Sequence, residues 1–224
     1  MKAQFFANVS HELRTPLTLI LGPTRELLAE VTQESQRREL AVIERNARLL
    51  LKLVNVLLDV SKLDAGKLEA CYARADLAWL LRFIASHFES LGRARGIELV
   101  LQLPEQLPVE IDAAKIERVV INLMSNAFKF TPDGGRILIE AETRNGVASI
   151  AVSDSGPGVP EEYRGSIFER FGQAPVARGS RHDGTGLGLY IVREFVRLHR
   201  GEVWVESAGL GGARFVVEVP TSAP

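Results

Sequence analysis

Two long stretches in the first third of the chain carry more apolar surface than one hairpin can hide. Over residues 35–63, Leu40, Ile43, Ala47, Leu50, Val54 and Leu57 recur in steps of three and four, a heptad seam that Leu51 and Leu58 widen. Residues 2–32 repeat the pattern with Phe6, Val9, Leu13, Ile20 and Leu27, widened by Leu17, Leu21 and Leu28. A polar turn near Gln33 to Gln36 joins them. A hairpin buries one face of each helix. Two hairpins bury both, as a four-helix bundle, so the pattern predicts a homodimer. Packing against the rest of the chain is the alternative. The first helix opens inside its apolar pattern with no cap signal, so an upstream part is expected.

At about 100° per residue, His11 falls roughly 150° from the middle of this apolar face. Glu12 is its neighbour, and Thr15 follows one turn later on the same side. Pro16 removes a backbone donor and crowds the carbonyl of Glu12, so the helix is expected to kink or loosen just after the histidine. An imidazole beside a carboxylate can act as a nucleophile, because the carboxylate holds the tautomer and stabilises the developing cation. Taken alone, the same residues also read as an ordinary solvated helix face.

The helical period ends near Gly66, a C-cap, and residues 67–75 read as a connector. The single cysteine, Cys71, excludes an intrachain disulfide and reads as inert, with nothing cationic adjacent. From Asp76 the period changes repeatedly. Asp76 caps a helix to about Leu91; Ile97–Leu103 and Val109–Ile111 read as strands; Asp112 caps a helix to about Phe130. Arg136–Thr143 and Val147–Ser153 flank the hairpin signal Asn145-Gly146. A long loop over 154–186 precedes a helix, Leu187–His199, and a second hairpin, Glu202–Ser207 with Arg214–Val219. Helices and paired strands mix without regular alternation, which predicts an α+β layer of helices on one sheet. A net charge of -1 gives no electrostatic case for nucleic acid or an anionic membrane, and no apolar run reaches the length of a membrane span.

Three features of this half can carry chemistry. Asn122 and Asn126 share a helix face, and Lys129 adjoins Asn126. Amide oxygens suit Mg²⁺ and a lysine neutralises phosphate; a solvated face reads equally well. Asp154 ends a strand and is followed by Gly156 and Gly158, which allow close ligand approach or form a simple turn. Gly184, Thr185, Gly186, Leu187 and Gly188 open a helix, where backbone N–H groups and the positive dipole end face an anion. The run follows no strand of a βαβ unit, and the P-loop and kinase lysine patterns are missing. Taken together, the three features describe a nucleotide site. Phe168 and Phe171 border a polar, Gly- and Arg-rich stretch that reads as a lid, and they read equally as core.

These motifs, in this order, resemble the catalytic core of two-component sensor histidine kinases, over Phe5 to Pro220. FFANVSHELRTPL resembles the phosphoacceptor motif and implies His11 as acceptor, Glu12 as the base that polarises it, and Thr15 as the residue that orients water for dephosphorylating the partner. IERVVINLMSNAFKFTP resembles the asparagine motif and implies Asn126 as the Mg²⁺ ligand, with Asn122 and Lys129 near the phosphates. DSGPGV implies Asp154 on the adenine amino group, with Gly156 and Gly158 shaping the pocket; IFERF resembles the phenylalanine motif, and GTGLGL implies phosphate contacts. The resemblance implies a dimeric helical hairpin over 1–66, a linker over 67–75 and a two-layer α+β sandwich of the GHKL (Bergerat) ATPase type over 76–224. It implies ATP and Mg²⁺, a homodimer, a response-regulator receiver domain as partner, phosphatase activity toward that regulator, and a cytoplasmic location with no direct membrane contact. One departure stands out: Gly212-Ala213 replaces the family's glycine-threonine pair, and little effect is expected. A GHKL-type ATPase and a silent dimerisation module are the competing readings. Asn122 weighs against the ATPase, because relatives that hydrolyse ATP carry a glutamate there and an asparagine cannot remove a proton.

Overall fold

The computed structural model describes residues 2–64, 68–174 and 186–223, with backbone alone for 2–12, 14, 15, 52 and 56–64. The chain divides into two compact units, Met1–Leu68 and Glu69–Pro224.

The first unit is a helical hairpin of α1 (Lys2–Glu30) and α2 (Glu34–Asp64). The interior of the hairpin is built from Leu17, Leu21, Ala47 and Val54, with Leu51 packed against them. Thr24 is buried among them and returns its hydroxyl to the carbonyl of Ile20, 2.6 Å away. Arg25 and Glu44 tie the helices together at 3.1 Å. α1 continues as one helix through Pro16 and Pro23. The two apolar faces seen in the sequence separate here. The residues that seemed only to widen the seam of α1, Leu17 and Leu21, form the interior. Leu13, Ile20 and Leu27, spaced at seven, stay exposed, as do Ile43 and Leu50 on α2.

The second unit packs helices on one face of a five-stranded sheet of order β2-β4-β5-β7-β6, beside a two-stranded sheet of β1 and β3. The strands are β1 (Ala73–Asp76), β2 (Glu98–Gln102), β3 (Pro108–Ile111), β4 (Arg136–Arg144), β5 (Val147–Asp154), β6 (Glu202–Ser207) and β7 (Ala213–Pro220). β2 lies parallel to β4; all other pairs are antiparallel. Within the connector expected over 67–75, Ala73–Ala75 instead pair with Val109–Ile111. A strand this short and polar carries no readable period, so only its partner reveals it.

The helices are α3 (Leu77–Ser86), α4 (Glu89–Arg95), α5 (Ala113–Phe130) and α6 (Gly188–Leu198). The single helix expected to run to Leu91 is two. It turns at His87-Phe88, where Phe88 swings inward to stack on Phe128 at 5.2 Å, and the second piece ends at Gly96 with φ 64°. α5 buries Ile116, Val119, Val120, Leu123, Met124, Ala127 and Phe128, a stripe in steps of three and four. On the sheet, Ile137 and Ile139 of β4, Ile150 and Val152 of β5 and Val217 and Val219 of β7 alternate into the same core. Each such Ile or Leu contributes about 1.5–3 kcal/mol of burial. Among the described residues, no helix is long and apolar enough to cross a membrane.

Candidate functional site

The site is built around α5. Once its apolar stripe is committed to the sheet, Arg118, Asn122, Asn126 and Lys129 must lie on another side, because they follow one another at helical spacing outside that stripe. Asp112 starts the helix, accepting the backbone N–H of Lys115 at 3.1 Å. Arg95 closes its other end, donating to the carbonyls of Phe128 and Thr131 (2.8 Å for the latter) and pairing with Asp133 at 2.7 Å. The helix is held at both termini, so its amides sit on a rigid element.

Asp154 closes β5 at the parity of Ala148, Ile150 and Val152, a core position, and pairs in register with Ile137. It is 3 % exposed. Its Oδ1 accepts the N–H groups of Gly156 at 2.8 Å and Ala213 at 3.3 Å. Burial raises its pKa above the ordinary 3.8, and those two hydrogen bonds only partly oppose it. A buried carboxylate with spare acceptor capacity suits a donor brought by a ligand.

The glycines around it are close-approach positions. A Cβ on Gly156 would stand 2.8 Å from both Asp154 Oδ1 and the carbonyl of Phe130, so the DSGPG turn is pressed against the end of α5. A Cβ on Gly212 would collide with the carbonyl and carboxyl oxygens of Asp154. Gly212 enters the sequence reading only beside the missing threonine, with no part in the site. Its signal was the Gly211-Gly212 pair directly before a strand. The missing threonine at position 213 leaves the backbone N–H that serves Asp154 intact. Gly158 has φ 73° and lies against the carbonyl of Gly212.

The glycine run meets the same helix. A Cβ on Gly188, the first residue of α6, would stand 3.1 Å from Asn122 Oδ1, whose amide nitrogen donates to the carbonyl of Arg118 at 2.8 Å. Gly186 takes φ 65° beside the backbone of Phe171. Leu187 is buried packing. Asn126 is half-buried, and Lys129 is exposed, its ammonium 4.9 Å from the centre of the Phe130 ring. Phe168 is core, buried and edge-on to Phe215 at 6.3 Å, whereas Phe171 is 71 % exposed at φ 61°. Gly184 and Thr185 lie outside the described residues, as do the side chains of His11, Glu12 and Thr15. The structure therefore brings together Asn122, Gly188, Asp154, Gly156 and Gly158 around α5, with Asn126 and Lys129 on that helix.

The chain also matches known proteins. Residues 1–66 match the family described as His Kinase A (phospho-acceptor) domain, and residues 111–223 the family described as histidine kinase-, DNA gyrase B-, and HSP90-like ATPase. The sensor histidine kinase TmoS of Ectopseudomonas mendocina is 50% identical over 226 residues, covering 100% of this chain and 23% of TmoS. Full-length ShkA, solved in complex with AMPPNP, superposes with a TM-score of 0.82 at 33% identity, covering 100% of this chain and 47% of ShkA. ThkA, solved in complex with the response regulator protein TrrA, gives 0.65 at 28% identity over 97% of this chain and 61% of that one. The chain thus spans about a quarter of TmoS and under half of ShkA.

Proposed function

The chain belongs to the sensor histidine kinases, and from that premise we propose that it is an ATP-dependent phosphotransfer core that phosphorylates His11 and hands the group to an aspartate of a response regulator. The observation that carries this reading is a buried carboxylate, Asp154, whose two hydrogen bonds both fall on Oδ1, set against the end of α5 in a chain whose first 66 residues match a phospho-acceptor domain. We assign residues 1–66 to dimerisation and phosphotransfer and 76–224 to ATP binding, joined through 67–75.

Asp154 accepts the adenine amino group, and Gly156 and Gly158 leave room for the base. Asn122, Lys129 and the backbone N–H groups from Gly184 to Gly188 hold the phosphates. The imidazole of His11 attacks the γ-phosphorus; a P–N bond forms, the bond to the β-phosphate oxygen breaks, and ADP departs. Glu12 holds the ring proton and stabilises the imidazolium. Rate then rests on positioning and on charge stabilisation rather than covalent chemistry of the protein. Thr15 orients water in the reverse traffic, dephosphorylation of the regulator.

Mg²⁺ fits the donor set. Among the described residues no group of three His, Cys, Asp or Glu side chains could cage a metal. The half-buried amide of Asn126 offers one hard oxygen, which suits an ion that takes its other ligands from phosphates and water. When bound, the ion neutralises phosphate charge. We place this core in the cytoplasm, as a homodimer through the exposed stripes of α1 and α2. The complex of ThkA with TrrA supports a receiver domain as the partner.

The test is autophosphorylation with γ-labelled ATP and Mg²⁺ on wild type, His11→Ala and Asn126→Ala. Acid-labile, base-stable label that both substitutions abolish is the expected result. Label that survives His11→Ala would overturn the acceptor assignment. Rapid multiple-turnover hydrolysis without label would favour a GHKL-type ATPase instead.

A further inference from the structure

His199 ends α6 and is 2 % exposed. Its Nδ1 lies 2.7 Å from the carbonyl oxygen of Phe195, and its Nε2 lies 3.0 Å from the backbone nitrogen of Asp112. A carbonyl can only accept and a backbone N–H can only donate. The ring therefore carries its proton on Nδ1 and a lone pair on Nε2, a neutral imidazole in one tautomer. Asp112, the cap of α5, is itself buried; it accepts the N–H of Cys71 at 2.9 Å and pairs with the ammonium of Lys115. Tyr72 sets its ring edge-on to the imidazole at 5.4 Å and donates its hydroxyl to the carbonyl of Leu198 at 2.9 Å.

α5 and α6 run antiparallel, and their contacts march together. Asp112 meets His199 at one end. In the middle, the guanidinium of Arg118 stands 5.3 Å over the ring of Phe195. At the other end, Asn122 meets Gly188. The contact at His199 is thus the far end of the same helix pair whose near end faces the phosphates, about 15 Å away at 1.5 Å per residue.

We infer that His199 is a positioning residue for the nucleotide site: a neutral strut that sets the register of α5 against α6 and hence the spacing of Asn122 from the glycine run. This rests on the nucleotide reading above. The segment entering the unit, Cys71-Tyr72, is tied to the same point, so a pull on it reaches both helices. Protonation of Nε2 removes the acceptor for Asp112 N–H and breaks the strut. The groups facing the ring are Asp112 and Lys115 from α5 and Tyr72 from the segment before β1, with exposed Arg197 and Arg200 flanking it on its own element. Burial presses its pKa down; the Phe195 carbonyl and Asp112 oppose this, Lys115 adds to it, and the net direction is below 6.5. The strut is therefore whole at neutral pH and is lost as pH falls through the lowered value.

The experiment measures AMPPNP affinity, with Mg²⁺, on the full chain from pH 7.5 down to the onset of acid unfolding for wild type, His199→Gln and His199→Phe. Glutamine keeps an acceptor near the place of Nε2 and cannot take up a proton there. Wild type should lose about tenfold more affinity across this range than His199→Gln, the worth of one neutral hydrogen bond. His199→Phe should bind about tenfold more weakly at pH 7.5, with glutamine restoring most of the loss. The nucleotide's own phosphate and Asp154 titrate in every variant, so the difference between curves belongs to His199. Superimposable curves for wild type and His199→Gln overturn the strut, whether or not the phenylalanine variant folds. A wild type that binds no nucleotide at pH 7.5 overturns the nucleotide reading and the strut's role in it together.

Discussion

Asp154 is the residue on which the nucleotide reading turns, and its chemistry follows from its parity. A strand that sends Ala148, Ile150 and Val152 into the core sends its eighth residue, an aspartate, there too. Burial makes its charge costly, so its pKa rises, and the folded chain holds the carboxyl proton at a pH where an ordinary aspartate has lost it. The sign follows directly. Ionised Asp154 costs the apo fold stability above its raised pKa, and that cost is relieved as pH falls through the raised value toward 3.8. Binding of adenine runs the opposite way, since only the carboxylate accepts from the amino group without a competing proton. ATP affinity should therefore begin to fall at a pH above 3.8, and Asp154→Asn should flatten that decline while weakening binding about ten- to hundredfold, the range of a hydrogen bond to a charged group. Isothermal titration across pH checks both; wild-type affinity in Asp154→Asn would remove Asp154 from the site. Gly212→Ala should also weaken binding while leaving the carboxyl group of Asp154 in the chain, because its Cβ has no place except on the oxygens of that residue.

At the scale of the element, α5 was legible and α3 was not, for physical reasons. The stripe of α5 is long, its cap Asp112 and its closing Thr131-Pro132-Asp133-Gly134-Gly135 turn are explicit, and the polar residues outside the stripe are the ones we assign to the ligand. The helix over Leu77–Ser86 breaks where no glycine or proline marks a break; long-range stacking of Phe88 on Phe128 decides it. The strand of Ala73–Asp76 was equally invisible, because Ala-Arg-Ala-Asp is four residues long and holds no large apolar side chain to mark a buried face. The joining of His199 to Asp112 lies beyond any local pattern, since 87 residues separate them. Asp76 is a cap that the sequence does announce, and it does more than cap. Its Oδ1 accepts from Ala78 and Trp79 in α3 and from Leu107 before β3, and these bonds, Leu107 foremost, hold its pKa below 3.8. Its stabilisation is fully present above pH 3.8 and fades only as pH falls through the lowered value. Asp76→Ala should cost about 1–2 kcal/mol at neutral pH, read by denaturant melts of the full chain; a change within error would show that water replaces the cap. On α5 itself, Asn122→Glu would place a base where the chain has only an amide. Futile ATP hydrolysis should rise while label on His11 falls, as measured by phosphate release beside autophosphorylation. Unchanged hydrolysis would mean that the amide is not what spares ATP.

For the whole molecule, the question is what covers the hairpin. Among the described residues, its interior holds Leu17, Leu21, Ala47, Leu51 and Val54 and leaves other large apolar side chains open to solvent. Leu13, Ile20 and Leu27 form a stripe at intervals of seven along α1, and Ile43 and Leu50 a matching pair on α2, with 45 % of Ile20 and 51 % of Leu50 open to solvent. Heptad stripes of this kind are the seam of a bundle rather than scattered surface residues. In the homodimer we propose, a second copy brings the same stripes and closes four helices with the symmetry that homodimers favour. Lysine at Ile20 and Leu50 puts two charges per chain into that seam, each uncompensated when buried. The double variant should therefore sediment as a monomer at concentrations where wild type is dimeric, while its second unit binds ATP with unchanged affinity, since neither residue lies in that unit. Autophosphorylation then discriminates between two geometries. If His11 takes the group from the partner's ATP, the monomer loses label; if it takes it from its own chain, label persists at a rate independent of concentration. A double-lysine variant that remains dimeric would place the seam elsewhere and leave the exposed stripes for another partner.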